Sequence, residues 1–268
     1  MEALTIFWGF YFVATPDAND VGIRDLQDAL GLVARHREWV PDLKQVPAEN
    51  RATQNEVNNL IASRAFRRVL AARIVVFQFF LQVAIQVDGC LQEKHKRIWL
   101  LFQLFNPDPQ CGDLHPFIKI INKLRNASDD ALDALIYRLS DIMRKYFPRS
   151  RVILGLDETQ WAAKLYHCSG MSISSPRAFR SIIREIFKAF TRAPVKFVVS
   201  GTDVSLADLG DNVASGVGKP THRVNVIHEL DTWPKLKLFL ERCVLASIVN
   251  TPSWRCLQKR MQEYLQGR

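Results

Sequence analysis

The chain has little of what builds metal clusters or disulfide scaffolds. Its five cysteines are an odd number with no C-x-x-C pair, and none of its six histidines stands at a spacing such as H-E-x-x-H. This disfavours zinc chemistry and the cysteine frameworks of small secreted domains. The cysteine usage fits a reducing compartment, so the sequence predicts an intracellular protein, cytoplasmic or nuclear.

Targeting and membrane signals are also scarce. The apolar start, residues 1–14, has no basic n-region and no small-residue cleavage site after it, which argues against a signal peptide. The most apolar later stretch, residues 74–87, is shorter than the ~20 residues that a spanning helix needs. Gln78, Gln82 and Gln86 would also lay a polar stripe along it. The sequence therefore predicts a helix buried on most of its surface and no membrane partner.

What the chain does have is a core and an excess of positive charge. Its 268 residues are 48% hydrophobic, which is enough for one large α/β domain or two small ones. The net charge of +9 favours contact with something acidic, such as nucleic acid, a nucleotide or an anionic surface. Charge alone does not choose among these partners.

Residues 151–160 carry the clearest chemical signal. An apolar run, residues 152–156, ends in two adjacent carboxylates, Asp157 and Glu158. This pattern is typical of a buried parallel strand, and in open α/β sheets ligands bind outside the carboxyl ends of the strands. Asp157 is therefore a candidate to hold Mg²⁺ through its water shell, and Glu158 to polarise an attacking water. A plain strand followed by a solvated acidic turn is the alternative.

A second polar strand end follows one crossover later. Ser175-Pro176 signals a helix start, and apolar residues then recur with a helical period as far as Phe190. The run 195–200 predicts the next strand, which leads into Ser200-Gly201-Thr202. A strand–helix–strand unit brings both strand ends to one edge of the sheet. A hydroxyl there can bond an attacking water or a phosphate oxygen.

The rest of the pattern is mostly helical. A first strand is predicted at residues 6–14, a short helix at 23–37 and a loop at 41–55. Longer helices follow at 56–87, 92–105, 116–124 and 129–147, with Ser128 as the N-cap of the last. Beyond residue 200 we expect a strand at 223–227 and helices at 236–248 and 254–265. The prediction is an α/β domain over 1–230 with a helical insertion at about 56–147, then C-terminal helices over 231–268 that begin a lid or a following domain.

The two strand ends resemble the Walker B and sensor 1 motifs of P-loop NTPases. Leu156-Asp-Glu-Thr-Gln160 is similar to the D-E-x-Q variant of AAA-type and STAND-type ATPases. The segments Trp-Gly-Phe-Tyr-Phe-Val-Ala, Gly-Ile-Arg-Asp-Leu-Gln and Arg-Ile-Trp-Leu-Leu-Phe-Gln-Leu extend the likeness to the ATPase domain of Crinkler-type proteins. The resemblance implies a parallel P-loop sheet and ATP with Mg²⁺ as cofactors. It also implies that Asp157 is the Mg²⁺ carboxylate, Glu158 the catalytic base, and Thr202 or Ser200 the group that positions water.

The phosphate-binding loop of that family is missing from the pattern. The motif G-x-x-x-x-G-K-[ST] cradles phosphates with backbone N–H groups, and it should precede the strand at 6–14. The only Gly-Lys pair, Gly218-Lys219, is followed by Pro220 and has Val213 where the first glycine belongs. In the family's strand order, 5-1-4-3-2, the missing strand lies beside the one that ends at Ser200. The sequence therefore predicts a fragment or remnant with impaired nucleotide binding.

A non-catalytic function stays open as the alternative. Four basic residues fall on one side of the helix predicted after Pro176: Arg177, Arg180, Arg184 and Lys188. Such a face can bind the phosphate backbone of nucleic acid, although faces of this kind are more often simply solvated. Arg192 or Arg223 could instead complete a neighbouring site as an arginine finger in a homo-oligomer.

Overall fold

The structure, a computed structural model, describes residues 2–15, 22–105, 115–148, 151–171 and 179–200. All of these residues belong to the first of two compact units, Met1–His222, and the second unit, Arg223–Arg268, lies outside them. The described part is mostly helical around a small parallel sheet. Its helices are α1 (Glu2–Ile6), α2 (Asp25–Ala34), α3 (Arg51–Asp88), α4 (Glu93–Leu104), α5 (Pro116–Lys123), α6 (Asp129–Tyr146), α7 (Thr159–Lys164) and α8 (Ile183–Phe190). Its strands are β1 (Trp8–Val13), β2 (Val152–Asp157), β3 (Gly170–Met171), β4 (Phe179–Arg180) and β5 (Lys196–Val199).

The main sheet has three parallel strands in the order β1-β2-β5. Every residue of β1 is buried, which explains its continuous apolar sequence. Residues 8 to 13 of β1 pair in register with residues 152 to 157 of β2. The three predicted strands are confirmed, and a mostly helical structure around a small parallel sheet is compatible with part of the predicted α/β fold. The strand predicted at 223–227 and the helices at 236–248 and 254–265 lie outside the described residues.

Helices α3 to α6 lie between β1 and β2 over the range predicted as a helical insertion, and the longest of them is α3. It runs for 38 residues and ends at Gly89, whose φ of 74° is the left-handed conformation that glycine adopts easily. The loop predicted at 41–55 is shorter than expected, because the exposed polar residues of the first turns of α3 show no apolar period. Ser128 caps α6 as predicted, accepting a hydrogen bond from the N–H of Ala131 at 3.2 Å.

Helix α3 also bears on the membrane question. Among the described residues one stretch, Ala48–Asp88, is long and apolar enough to cross a membrane, and half of its most apolar window is buried inside the protein. The run at 74–87 is by itself too short to span a membrane, but it is part of one unbroken helix that is long enough. Phe77 of this helix packs against Trp8, Phe10 and Trp99, with ring centroids 4.9 to 5.6 Å apart. This side of α3 covers the sheet.

A buried ion pair joins α2 and α3. Arg73 and Asp25 are both fully buried at the side chain and meet through two hydrogen bonds, of 2.6 and 2.7 Å. Arg73 also donates to the carbonyl oxygen of Tyr11 at 2.5 Å, and its guanidinium lies between the rings of Phe12 and Phe117. The pair is therefore hydrogen-bonded on every side, as a buried charge must be.

The helix predicted to start at Ser175-Pro176 is wrong at residues 179–182. Residues 172–178 lie outside the described residues, Phe179–Arg180 form β4, and α8 begins only at Ile183. β4 pairs antiparallel with β3. A competing start lies at Ser181, whose Oγ donates to the carbonyl of Ala162 at 2.8 Å and accepts the N–H of Ile183 at 3.3 Å. This anchor to α7 prevents the helical period from extending back through Phe179.

Candidate functional site

Asp157 lies at the carboxyl end of β2, the central strand, and both oxygens of its carboxylate accept hydrogen bonds. Oδ2 accepts a hydrogen bond from the hydroxyl of Tyr11 at 2.7 Å. Oδ1 accepts one from the hydroxyl of Ser200 at 2.5 Å and one from the N–H of Glu158 at 2.9 Å. Three strands of the sheet, or the residues next to them, therefore converge on one carboxylate.

Ser200 reaches Asp157 because the ladder between β2 and β5 continues past the strand ends. The N–H of Ser200 donates to the carbonyl of Leu156 at 2.9 Å. The carbonyl of Ser200 accepts from both the N–H and the hydroxyl of Thr159, at 3.1 and 2.8 Å. The structure thus brings Asp157 and Ser200 together, as the crossover argument predicted, and locks the start of α7 to the same edge.

Glu158 occupies an uncommon backbone conformation. Its φ and ψ, 54° and 38°, are left-handed, a region that non-glycine residues visit rarely and at a cost of about 1 to 3 kcal/mol. Its carboxylate accepts a short hydrogen bond from the side-chain amide of Gln160. The bend turns the chain from β2 into α7 and places an acid at the strand end. Such costs concentrate at functional sites, so the conformation makes Glu158 a candidate for chemistry.

Tyr11 belongs to the site and sequence reasoning missed it. The residue lies inside the aromatic run of β1, where its ring looks like one more core side chain. The available signal was its hydroxyl, since a buried tyrosine usually finds a hydrogen-bond partner. Position 11 pairs in register with Gly155 of β2, and the ring therefore passes beside a residue that has no side chain.

The hydrogen bonds of Asp157 limit how it could hold a metal ion. An ionised carboxylate offers about four lone-pair sites, and three are used by Tyr11, Ser200 and the N–H of Glu158. The remaining site is enough to accept one bond from a water of an Mg²⁺ shell. Among the described residues there is no group of three metal-ligating side chains. The site therefore fits an ion that keeps most of its waters, as Mg²⁺ does, and does not fit an ion that needs an all-protein cage.

The other predicted site residues that the structure describes are not gathered here. Thr202 and Arg177 lie outside the described residues. Arg180 is in β4, and Arg184 is buried, donating a short hydrogen bond to the carbonyl of Met171. Lys188 faces the buried carboxylate of Glu185 at 3.8 Å. Of the basic positions that the structure describes, only Arg184 and Lys188 lie on α8, Arg180 precedes the helix, and Arg184 is buried, so these three do not form the one solvated helix face that was predicted.

Arg192, considered above as an arginine finger, has a partner within the chain. Its guanidinium lies 2.5 Å from Oδ2 of Asp133 on α6. Comparison with known proteins adds no assignment: no protein-family model, curated protein or solved structure matches this chain.

Proposed function

We propose that the edge at Asp157 is the acidic half of a Mg²⁺-dependent nucleotide-hydrolysis site of the P-loop NTPase type. The observation that carries the proposal is the hydrogen bond from Ser200 to Asp157, which joins the ends of two neighbouring parallel strands. A Walker B carboxylate beside a polar sensor residue has this arrangement. The strand order β1-β2-β5 also corresponds to strands 2, 3 and 4 of the order expected for that family.

Each residue then has a defined task. Asp157 would hold the ion through a water molecule, using its remaining lone pair, and Tyr11 and Ser200 fix the orientation of its carboxylate. Glu158 receives the proton of the attacking water, and Gln160 keeps its carboxylate in place. Mg²⁺, when bound, neutralises the charge of the phosphate oxygens. ATP is the nucleotide that the resemblance implies, and an intracellular setting fits its use.

The residues that would bind the phosphates are the part of this site that the chain lacks in its sequence pattern. Among the described residues β5 pairs only with β2. In the strand order of the family, the strand of the phosphate loop would lie on the other side of β5. The loop motif itself is missing from the sequence pattern. We therefore propose that the 268-residue chain binds Mg²⁺–ATP more weakly than the micromolar range, through the acidic edge.

The test is an equilibrium titration of the chain with fluorescently labelled ATP, with Mg²⁺ and with a chelator. We expect weak binding that requires Mg²⁺ and is lost in Asp157→Asn. Asp141→Asn is the matched control, because Asp141 is an exposed carboxylate on α6 whose ion-pair partner among the described residues is Arg144. Glu158→Gln tests the assignment of the base: it should bind like the wild type and be slower in any hydrolysis that the wild type shows.

Three outcomes would overturn the proposal. Binding that is the same with and without Mg²⁺ would show that the metal takes no part in it. Equal binding by Asp157→Asn and the wild type would show that ATP does not bind at the acidic edge. Micromolar affinity would show that the phosphate-binding half is complete. Thermal unfolding of every variant separates a lost site from a lost fold.

A further inference from the structure

A second charged cluster lies away from the acidic edge, where α3 meets α6. Arg64, Arg67 and Arg68 stand at i, i+3 and i+4 on α3, a spacing that puts them on one side of the helix. Arg125 lies in the short 3-10 turn Leu124–Asn126 that precedes α6. Arg192, just after α8, reaches the same place. We refer to these five residues as the arginine cluster.

Two carboxylates of α6 neutralise only part of the arginine cluster. Arg67, which is buried, pairs with Asp129 at 3.0 Å and with Asp133 at 3.2 Å. Arg64 shares Asp129 at 3.5 Å, and Arg192 shares Asp133 at 2.5 Å. Both carboxylates are therefore already divided between two guanidinium groups.

The remaining two arginines have no such partner in the part of the chain that the structure describes. Arg68 and Arg125 make no ion pair with any residue in the described part of the chain, and the Nε of Arg68 is buried without an acceptor. Burial and the neighbouring charges of Arg64 and Arg125 lower the pKa of Arg68. Asp130, the other acid in the first turn of α6, also forms no ion pair there. The cluster thus keeps an excess of positive charge that an external anion would relieve.

We propose that Arg64, Arg68 and Arg125 form a binding surface for the phosphate backbone of nucleic acid. Guanidinium groups suit phosphates because they donate several hydrogen bonds in a fixed fork. Arg64 and Arg68 lie about 6 Å apart along the helix axis, one turn, so they would meet different oxygens of one chain. Arg67, held by its two aspartates, keeps the cluster rigid.

A polymer is favoured over a free small anion by the shape of the surface. Arg64 keeps 43% of its side chain exposed, Arg125 is exposed and Arg68 is partly exposed, so this side of the cluster is open to solvent. An open basic surface binds by adding contacts along a polyanion. The net charge of the whole chain, +9, would draw such a partner in at low salt.

The experiment measures binding of a labelled, mixed-sequence single-stranded DNA oligonucleotide by fluorescence anisotropy over a series of salt concentrations. The test variant is Arg68→Gln/Arg125→Gln, which leaves every ion pair of the cluster intact. We expect weaker binding and a salt slope that is smaller by about 0.7 for each lost phosphate contact. The control, Arg37→Gln/Arg144→Gln, removes two exposed charges elsewhere and should keep the wild-type slope.

Equal affinity and slope in the test variant and the wild type would overturn the proposal, as would no binding by the wild type at low salt. A multiply phosphorylated peptide that binds more tightly than the oligonucleotide at the same salt would also overturn it, in favour of a protein partner. The titration contains no ATP and no Mg²⁺, so its result does not depend on whether the acidic edge binds Mg²⁺–ATP.

Discussion

The hydroxyl of Tyr11 donates a 2.7 Å hydrogen bond to Oδ2 of Asp157, across the pairing of β1 and β2. This bond and the one from Ser200 hold opposite oxygens of a single carboxylate. The outer strands therefore orient the acid of the central strand. That arrangement makes the acidic edge a rigid feature of the sheet instead of a property of one loop.

Removing the hydroxyl of Tyr11 should lower the free energy of unfolding measurably. In Tyr11→Phe a hydrogen bond to a charged acceptor is lost, which costs about 1.5 to 3 kcal/mol in the free energy of unfolding. Urea unfolding followed by circular dichroism measures the change. Tyr137→Phe is the control, because Tyr137 is 58% exposed on α6 and should lose almost nothing. Equal stability of the two variants would show that the bond between Tyr11 and Asp157 does not form in solution.

The pair Arg73–Asp25 predicts a strongly non-additive mutant cycle. Arg73→Met leaves Asp25 buried without its partner, which typically costs about 3 to 5 kcal/mol. Arg73→Met/Asp25→Asn removes both charges and should recover part of that loss. Unfolding free energies of the two single variants and the double variant complete the cycle. A double variant that loses the sum of the single losses would argue against direct coupling.

Glu185 predicts a pH-dependent stability. Burial raises the pKa of its carboxyl, although Lys188, Arg184 and Arg192 oppose the shift. The pKa of Glu185 is higher in the folded protein than in the unfolded chain, so the fold loses stability as the pH rises from the unfolded pKa through the folded pKa. Below the unfolded value of 4.5 the group has no such effect. Glu185→Gln should therefore be more stable than the wild type at neutral pH, with a gain that disappears on acidification.

Thermal unfolding of both proteins across a pH series gives this difference. Neither oxygen of Glu185 has a hydrogen-bond partner among the described residues, so the amide breaks no hydrogen bond there. It does remove the ion pairs with Arg184 at 3.7 Å and Lys188 at 3.8 Å, which burial of the carboxylate outweighs. Glu38→Gln, at a mostly exposed glutamate, should show no comparable gain. A Glu185→Gln protein that is less stable than the wild type at neutral pH would contradict the raised pKa.

The sequence predicted the parts of this structure that depend on local pattern. Apolar runs located the strands that end at Asp157 and Ser200, and the crossover rule brought those two residues together. Tyr11 was missed because a phenol within an aromatic run has no local sign of a partner 146 residues away. The start of α8 was predicted too early for a similar reason, since the bond from Ser181 to the carbonyl of Ala162 depends on tertiary packing.

The left-handed backbone at Glu158 gives a prediction that separates conformation from chemistry. Glu158→Ala and Glu158→Gly both remove the carboxylate and its bond from Gln160, so they differ in the cost of the backbone conformation and in the greater flexibility of glycine in the unfolded chain. Glycine adopts a left-handed φ freely, whereas a Cβ costs about 1 to 2 kcal/mol there. Glu158→Gly should therefore be more stable than Glu158→Ala by about 1 kcal/mol in urea unfolding.

The same comparison at an ordinary helical position controls for the flexibility of glycine. Lys119 lies exposed within α5, where Lys119→Gly should be less stable than Lys119→Ala by about 1 kcal/mol. The sign of the glycine effect is therefore expected to reverse between the two positions. If glycine is the less stable substitution at both, residue 158 does not hold a left-handed backbone in solution. If the sign does reverse, residue 158 holds a left-handed backbone in solution, a conformation whose cost is usually found at functional sites.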